Sequence, residues 1–309
     1  MLARWFAAEK SFLLFRETRC RHARAVPPLR PEEIRRAVRA ALAEDIGRGD
    51  VTTLATIPRN STSCAVMRAR EPLVLAGIAL AEESFRQRAT GRLRLLRPIA
   101  DGARVAAGAE ILRVKGPTQA LLSAERVALN FVQRLSGVAT LTARFAAELR
   151  GTRAQVLDTR KTTPGWRRFE KYAVACGGGR NHRIGLFDMV LIKDNHLAAL
   201  RDAKPNAIAA AVQRARKKFP KLKVEVEADT LAQVAQAADA GADIILLDNM
   251  TTAQLKRAVK LVRGRAQTEA SGGVNLKTIR AIAQTGVDFV SVGALTHSAR
   301  AVDIGLDFE

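Results

Sequence analysis

The feature that most constrains the fold is a regular alternation of short apolar runs and helical patterns, which begins near residue 155 and continues to the end of the chain. Apolar residues recur at helical spacing after several of the runs, over 231–240, 252–262 and 276–284. Strands that alternate with helices indicate a parallel sheet with right-handed crossover connections. Six strands are predicted here, at 155–158, 189–192, 223–227, 244–247, 266–270 and 289–292.

The N-terminal half follows a different pattern. Helical spacing starts at Pro31, which suits the first turn of a helix and is followed by two acidic residues. Between residues 63 and 114 short strands and turns alternate, with a helix over 79–88 between them. A long helix over 123–137 follows, with Ser123 as its expected N-cap. This half is therefore predicted to form an α+β domain.

The first 29 residues are basic: six Lys or Arg residues stand against two Glu residues, a net charge of +4. The apolar stretch over 12–15 is too short for the hydrophobic region of a signal peptide. Pro27 and Pro28 then interrupt the chain. We expect residues 1–29 to be a disordered extension, with a transit peptide or a misassigned start codon as the alternatives.

Composition indicates a globular enzyme with an unusual charge. The formal net charge is +21, whereas aromatic residues make up only 5% of the chain. A nucleic-acid-binding protein would combine a basic face with stacking aromatics. An enzyme for polyanionic substrates needs only a few of these cations in one cleft, and we favour this interpretation. No apolar run approaches the ~18 residues that a membrane helix needs.

The three cysteines, Cys20, Cys64 and Cys176, are far apart and lack metal-ligand spacing. This usage favours a reducing compartment, and we expect a cytoplasmic protein.

Cationic side chains follow two of the predicted strands directly. Arg160 and Lys161 come after the strand at 155–158, and Lys193 comes after the strand at 189–192. A cation at the end of a buried strand is held rigidly and suits a small anion with several charges. His182 and Arg183 follow a run of three glycines and extend this cationic set.

The same segments carry a family resemblance. The string DTRKTTPGWRRFEKYAVACGGGRNHRIGLFDMVLIKDNH over 158–196 resembles the signature of the quinolinate phosphoribosyltransferase family. Further matching strings stand in the family's order at 43–53, 123–140, 224–230, 241–250, 269–275 and 288–297. The resemblance covers about residues 30–308 and is specific because several long strings occur in fixed order.

The resemblance implies an α/β fold: an open, incomplete α/β barrel of six parallel strands, with an N-terminal α+β domain beside it. We expect the domain and its linking helix over 30–137, the phosphoribosyltransferase barrel over 138–293, and a segment over 294–309 that packs back on the N-terminal domain. The resemblance also implies a homodimer or higher homo-oligomer with shared active sites.

The implied reaction transfers phosphoribosyl from phosphoribosyl pyrophosphate to quinolinate, with loss of CO2, in NAD biosynthesis. Arginine suits a carboxylate because its two donors form a planar fork. The residues expected to bind quinolinate, a pyridine diacid, are Arg126, Thr159, Arg160, Lys161, His182, Arg183 and Lys193. The resemblance implies that Arg126 reaches the active site of the partner subunit.

Glycines directly after strands let backbone N–H groups approach a phosphate, and in barrels the loops after the last two strands commonly hold one. The ribose 5-phosphate is therefore assigned to Ser271, Gly272, Gly273, Ser291, Val292 and Gly293. Glu227 and Asp248 end neighbouring strands, and we expect them to contact the ribose or a Mg²⁺ ion carried by pyrophosphate. The expected catalytic residues are Lys161, Lys193, Glu227 and Asp248, and all four also complete the phosphoribosyl pyrophosphate site.

Two alternatives remain open from the sequence. One is a related phosphoribosyltransferase that uses nicotinate or another pyridine acid and needs fewer carboxylate anchors. The other, from a different class, is a basic nucleic-acid-binding protein, which would not need Glu227 and Asp248 at strand ends. The expected partners are therefore the two small substrates, with no nucleic acid and no membrane.

Overall fold

The structure, a computed structural model, describes residues 28–90 and 92–309. The expected extension over 1–29 thus lies outside the described residues, apart from its last two positions.

The N-terminal region combines three helices with antiparallel strands. The helices are α1 (Pro31–Ile46), α2 (Val51–Thr56) and α3 (Ile78–Arg88). The strands are β1 (Thr62–Ala69), β2 (Leu73–Val74), β3 (Arg94–Leu96), β4 (Arg104–Val105) and β5 (Glu110–Pro117). The strands pair in the order β1-β5-β3, and β2 pairs separately with β4.

The long helix α4 (Thr118–Glu148) joins the N-terminal region to the barrel. Its first half packs in the core of the N-terminal sheet and its second half packs against the barrel, where Phe131 stacks on Trp166 with ring centroids 5.1 Å apart. The predicted N-cap at Ser123 is wrong: the helix already begins at Thr118. The Ser123 hydroxyl instead donates a hydrogen bond of 2.8 Å to Asp50, so it ties α4 to the start of α2.

The C-terminal region contains the predicted parallel sheet. Its strands are β6 (Gln155–Leu157), β7 (Val190–Ile192), β8 (Val224–Ala228), β9 (Ile244–Asp248), β10 (Gln267–Ser271) and β11 (Phe289–Ser291). The helices around them are α5 (Arg167–Cys176), α6 (Asp194–Ala198), α7 (Ala207–Lys218), α8 (Leu231–Asp239), α9 (Thr252–Val262), α10 (Ile279–Ala283) and α11 (Ala294–His297).

The parallel sheet is an open barrel of six strands in the order β6-β11-β10-β9-β8-β7. The first strand of this sheet, β6, therefore pairs with its last strand, β11, and within the described residues β6 and β7 are the edge strands. The turn that contains Arg180 lies in this opening, where its backbone forms a parallel bridge to β6 at Leu157. The fold class expected from the sequence is confirmed.

The helix predicted over 276–284 is shorter in the structure, where α10 covers only Ile279–Ala283. The side chain of Asn275 accepts hydrogen bonds from the backbone N–H groups of Lys277 (2.9 Å) and Thr278 (3.2 Å). Such a local side-chain turn competes with the first turn of a helix.

The chain ends in β12 (Ile304–Phe308), which returns to the N-terminal sheet and pairs antiparallel with β1. Ile304 is buried in the core of that sheet. Ion pairs from Arg70 to Asp307 and from Arg300 to Glu71 reinforce the return. Four strands thus form the N-terminal sheet, in the order β12-β1-β5-β3.

Candidate active site

The carboxyl ends of the six parallel strands meet at one edge of the barrel, which we call the mouth. Because the strands are parallel, residues that follow them are brought to this edge whatever their distance along the chain. The mouth gathers the predicted site residues Thr159, Arg160, Lys161, His182, Arg183, Lys193, Glu227, Asp248, Ser271, Gly272, Gly273, Ser291, Val292 and Gly293. Arg126 on α4 stands apart from them.

A buried ion pair holds the turn in the barrel opening. Asp158 and Lys171, both buried, form a salt bridge between the end of β6 and α5. Asp158 also accepts hydrogen bonds from the Asn181 side chain (2.6 Å) and the His182 backbone (2.9 Å), and Lys171 donates to the His182 carbonyl (3.0 Å). The turn over 180–183 is thereby fixed beside β6, although sequence reasoning gave neither Asp158 nor Lys171 a role.

Two arginines stand close together at the mouth. Burial and the nearby charge of Arg160 lower the pKa of Arg183, so the two guanidinium groups repel each other in the absence of an anion. Arg183 donates one hydrogen bond, of 3.3 Å, to the Met189 carbonyl. The Nε of Arg160 is buried and has no hydrogen-bond partner among the described residues. A pair of this kind is arranged to receive a carboxylate.

The acids at the strand ends face the same way. Glu227 is opposite Leu246 in the pairing of β8 with β9, and Asp248 lies two residues beyond Leu246, on the same face. Lys193 donates a hydrogen bond of 2.5 Å to Glu227 Oε2, and Asn249 donates one of 2.6 Å to Asp248 Oδ2. The second oxygen of each carboxylate accepts no hydrogen bond from the described residues.

These two free carboxylate oxygens fit a Mg²⁺ ion that arrives with a substrate. Mg²⁺ needs six oxygen ligands in an octahedron and often takes only one or two from the protein. Lys193 neutralises Glu227, so the pair would not hold a bare cation strongly, whereas a cation bound to pyrophosphate brings its own ligands. Glu227 and Asp248 would hold such an ion directly or through water.

In the turn after β10, Gly272 needs glycine for space as well as for conformation, and Gly293 after β11 stands close to other side chains. Gly272 has φ +98°, and a Cβ there would lie 2.1 Å from Asn249 Oδ1. A Cβ on Gly293 would lie 3.2 Å from Lys161 Cδ, which shows that Lys161 stands over this turn. The Ser291 and Val292 side chains are buried, so these two residues can face the mouth only through their backbone.

Beneath the mouth, three side chains form a buried cluster that the sequence interpretation missed. His182 Nε2 lies 2.9 Å from Glu225 Oε2 and 3.6 Å from Glu269 Oε2. Burial raises the pKa of Glu225 to about 7 and that of Glu269 to about 8, and burial lowers the pKa of His182. The sequence did carry a signal: Glu225 and Glu227 alternate with Val224 and Val226 along β8, so both glutamates point to the same face of the strand.

His182 is therefore turned toward the protein. Its Nδ1 accepts a hydrogen bond of 2.8 Å from the backbone N–H of Arg183, and its Nε2 faces the two glutamates. Both ring nitrogens of His182 are thus occupied by contacts within the protein. Arg126 is exposed and makes no hydrogen bond or ion pair with the described residues.

Family models match almost the whole described chain. Residues 50–136 match the N-terminal domain of quinolinate phosphoribosyl transferase, and residues 138–307 match the C-terminal domain of the same family.

Curated relatives agree with the family models. One is the quinolinate phosphoribosyltransferase [decarboxylating] 2b, mitochondrial, of Nicotiana tabacum, 41% identical over 97% of this chain and 89% of the relative. Another is the nicotinate-nucleotide pyrophosphorylase [carboxylating] of Mycobacterium leprae, 43% identical over 88% of this chain and 96% of the relative. The solved nicotinate-nucleotide pyrophosphorylase of Francisella tularensis superposes with a TM-score of 0.87 at 40% identity, over 93% of this chain and all of that one.

The fold and the cationic mouth define a barrel enzyme for small anionic substrates. Both family models match, and together they span nearly all of the described residues. The chain belongs to the quinolinate phosphoribosyltransferase family. The resemblance and the enzyme class predicted from the sequence are thus confirmed.

Proposed function

We propose that this chain transfers phosphoribosyl from phosphoribosyl pyrophosphate to quinolinate, and that the products are nicotinate mononucleotide, pyrophosphate and CO2. The observation that carries the proposal is the pair Arg160 and Arg183 at the mouth, with a buried and unpartnered Nε on Arg160. Two adjacent guanidinium groups, neither of which forms a salt bridge within the described residues, suit the two carboxylates of a pyridine diacid. Thr159, Lys161, Lys193 and His182 complete the diacid site, His182 by holding Arg183 in place.

Phosphoribosyl pyrophosphate fits the opposite side of the mouth. Its 5-phosphate lies on the backbone N–H groups of the turns over 271–273 and 291–293, with Lys161 above the second turn. Glu227 and Asp248 face the ribose, where a carboxylate has the sign that stabilises positive charge on the anomeric carbon. When bound, Mg²⁺ neutralises charge on the departing pyrophosphate.

The chemistry follows from this placement. The pyridine nitrogen forms a bond to the anomeric carbon with its lone pair, while the bond to pyrophosphate breaks and its electrons leave with the pyrophosphate. The ring nitrogen then carries a positive charge. That charge accepts the electron pair left at C2 when CO2 departs, and C2 takes up a proton from water. The protein contributes orientation and electrostatic stabilisation.

We also propose a homodimer with shared sites. Arg126 is an exposed cation on α4 that forms no hydrogen bond or salt bridge with the described residues, which suits donation to the mouth of a partner. Leu186 and Phe187, just beyond Arg183, are each 74% exposed. Two large apolar side chains beside an active site are typical of a surface that a second subunit covers.

For location we keep the cytoplasm as our proposal. The described cysteines, Cys64 and Cys176, are free thiols, as a reducing compartment favours. Within the described residues, no helix combines the length and the apolar character needed to span a bilayer. The Nicotiana tabacum relative is named as mitochondrial, so imaging of the tagged full-length chain is the direct test.

Substrate choice tests the proposed function. The enzyme should release pyrophosphate with quinolinate and give little or no turnover with nicotinate, because one carboxylate cannot satisfy both Arg160 and Arg183. Arg160→Ala should lower kcat/KM for quinolinate at least tenfold, since a charge-assisted hydrogen bond contributes about 1.5–3 kcal/mol. Arg214→Ala, an exposed arginine on α7, is the control and should retain activity. Equal turnover of both acids would favour the nicotinate enzyme.

A further inference from the structure

The buried cluster of His182, Glu225 and Glu269 has a geometry that an ordinary structural ion pair does not need. Glu225 on β8 and Glu269 on β10 are 0% and 1% exposed. Their strands are separated by β9, yet carboxylate oxygens of both lie within 4.8 Å of each other and of the His182 ring. Side chains on alternate strands can meet only on the inner face of a curved sheet, so both glutamates belong to one interior layer of the barrel.

The hydrogen bonds of this cluster are incomplete. Apart from the approach of His182 Nε2 to Glu225 Oε2 (2.9 Å) and a contact of the Ser291 side chain with Glu269, the four carboxylate oxygens of Glu225 and Glu269 have no hydrogen-bond partner in the described part of the chain. Since Nδ1 of His182 accepts from Arg183, the neutral ring must carry its hydrogen on Nε2, which faces the glutamates. One N–H group cannot satisfy four buried oxygens, so a further hydrogen is needed between the two carboxyl groups.

The electrostatics agree with this count. Two carboxylates at this distance in a buried site cannot both be ionised, because each charge opposes the other and burial opposes both. The charged groups that act on them are Arg183, Lys193, Glu227 and His182. Lys171, Asp158 and Arg183 act in turn on the histidine. The raised pKa values of Glu225 and Glu269 have burial as their largest cause.

The same arrangement argues against a metal ion among the three side chains. A metal would need the lone pair of Nε2, but the hydrogen bond from Arg183 to Nδ1 places the hydrogen on Nε2. Cationic side chains also surround the cluster. A proton is therefore the better fit than a divalent cation.

We propose that Glu225 and Glu269 share one proton and act as positioning residues, holding His182 and through it the Arg183 backbone at the mouth. The proposal rests on the function proposed above. It implies that the pair carries one negative charge when the substrate binds, and that loss of the shared proton places a second negative charge beneath the bound dianion. Quinolinate binding and protonation of the pair are then coupled, so each favours the other.

The test is proton uptake on binding. Calorimetric titration of the holoenzyme with quinolinate at pH 8, in buffers of different ionisation enthalpy, should show uptake of a fraction of a proton. Affinity should fall about tenfold between pH 6.5 and pH 9, the size expected for one added like charge nearby. Glu269→Gln supplies a neutral amide in place of the acid. This variant should take up less proton on binding, and its affinity should fall by no more than about threefold over the same pH range.

Controls separate the possible outcomes. Glu148→Gln, an exposed carboxylate at the end of α4, should behave as the wild type does, and Glu225→Gln replaces Glu269→Gln if that variant does not fold. Unchanged proton uptake in the glutamine variant would overturn the proposal, and so would one tightly bound metal ion per chain whose removal weakens quinolinate binding.

A second readout does not depend on the substrate. Because the pKa of each glutamate is raised above its ordinary 4.5, the pair stabilises the fold at low pH and this stability is lost as pH rises toward about 8. The Tm of the wild type should therefore fall more between pH 6.5 and pH 9 than the Tm of Glu269→Gln. If the wild type bound no quinolinate at any pH, the proposed function would fail. The comparison of Tm values would still show whether Glu225 and Glu269 share a proton.

Discussion

At the scale of single residues, Asp158 connects the sheet to the active site. It directly follows β6, pairs with Lys171 on α5 and accepts hydrogen bonds from the turn that carries His182 and Arg183. Burying a charged pair costs solvation energy, so the pair adds little to stability compared with an apolar pair of the same volume. Its contribution is to fix the position of a turn that has no strand on its other side.

Removing one partner of this pair should be far more damaging than removing both. Lys171→Met leaves the Asp158 charge buried without its counter-ion, which typically costs ~3–5 kcal/mol. The double variant Asp158→Asn, Lys171→Met should regain a substantial part of that loss. Urea unfolding measures both, with Lys256→Met, an exposed lysine on α9, as the control. A loss below about 1 kcal/mol for Lys171→Met would show that the pair is not buried as described.

At the scale of elements, the C-terminal strand β12 is held by the sheet of the N-terminal region. Ile304 is buried in the core of that sheet, whereas Phe308 at the far end of the same strand is 38% exposed. The contrast within one strand allows its packing to be tested separately from its hydrogen bonds.

Ile304→Ala should lower the free energy of unfolding by about 2–4 kcal/mol, because it removes buried methyl groups and leaves a cavity. Phe308→Ala, the matched control, should cost clearly less. Chemical denaturation with both variants gives the comparison. Equal losses in the free energy of unfolding for the two variants would mean that Ile304 does not anchor β12 in the core.

The sequence predicted these elements unevenly. The six barrel strands and the apolar face of α4 were predictable because period and burial agree there. The start of α4 was not, since Ser123 looks like a cap but bonds to Asp50, a partner distant in sequence. Arg160, Lys161 and Lys193 were found because each stands just beyond the end of a strand. Glu225 and Glu269 were missed as a pair because only the curvature of the sheet brings β8 and β10 together.

At the scale of the whole molecule, one chain leaves the proposed site incomplete. The mouth is built from residues 158 onward, whereas Arg126 lies on α4 and has no partner among the described residues. If Arg126 completes the mouth of a second subunit, an inactive variant altered on α4 and an inactive variant altered at the mouth should regain activity when they form mixed dimers.

Mixing Arg126→Ala chains with Lys193→Ala chains should therefore recover activity. In a mixed dimer one site carries both lesions and the other carries neither. Free exchange makes about half of the dimers mixed, so activity should approach roughly a quarter of the wild type per total site. A mixture of Arg160→Ala with Lys193→Ala is the control: both lesions lie at the same mouth, every site keeps one of them, and no recovery is expected. Confirmed subunit exchange without recovery in the first mixture would place Arg126 outside the partner's site.

The return of β12 to the first region also bears on how the chain is made. During synthesis β1 emerges from the ribosome before the barrel, but β12, the strand that covers its open edge, emerges only after the barrel. An uncovered strand edge readily pairs with another chain. The N-terminal sheet therefore keeps one edge exposed until the whole barrel and then β12 have been synthesised. A ribosome that stalls within the barrel would release this protein at its most aggregation-prone stage, even though the whole N-terminal region had already been synthesised.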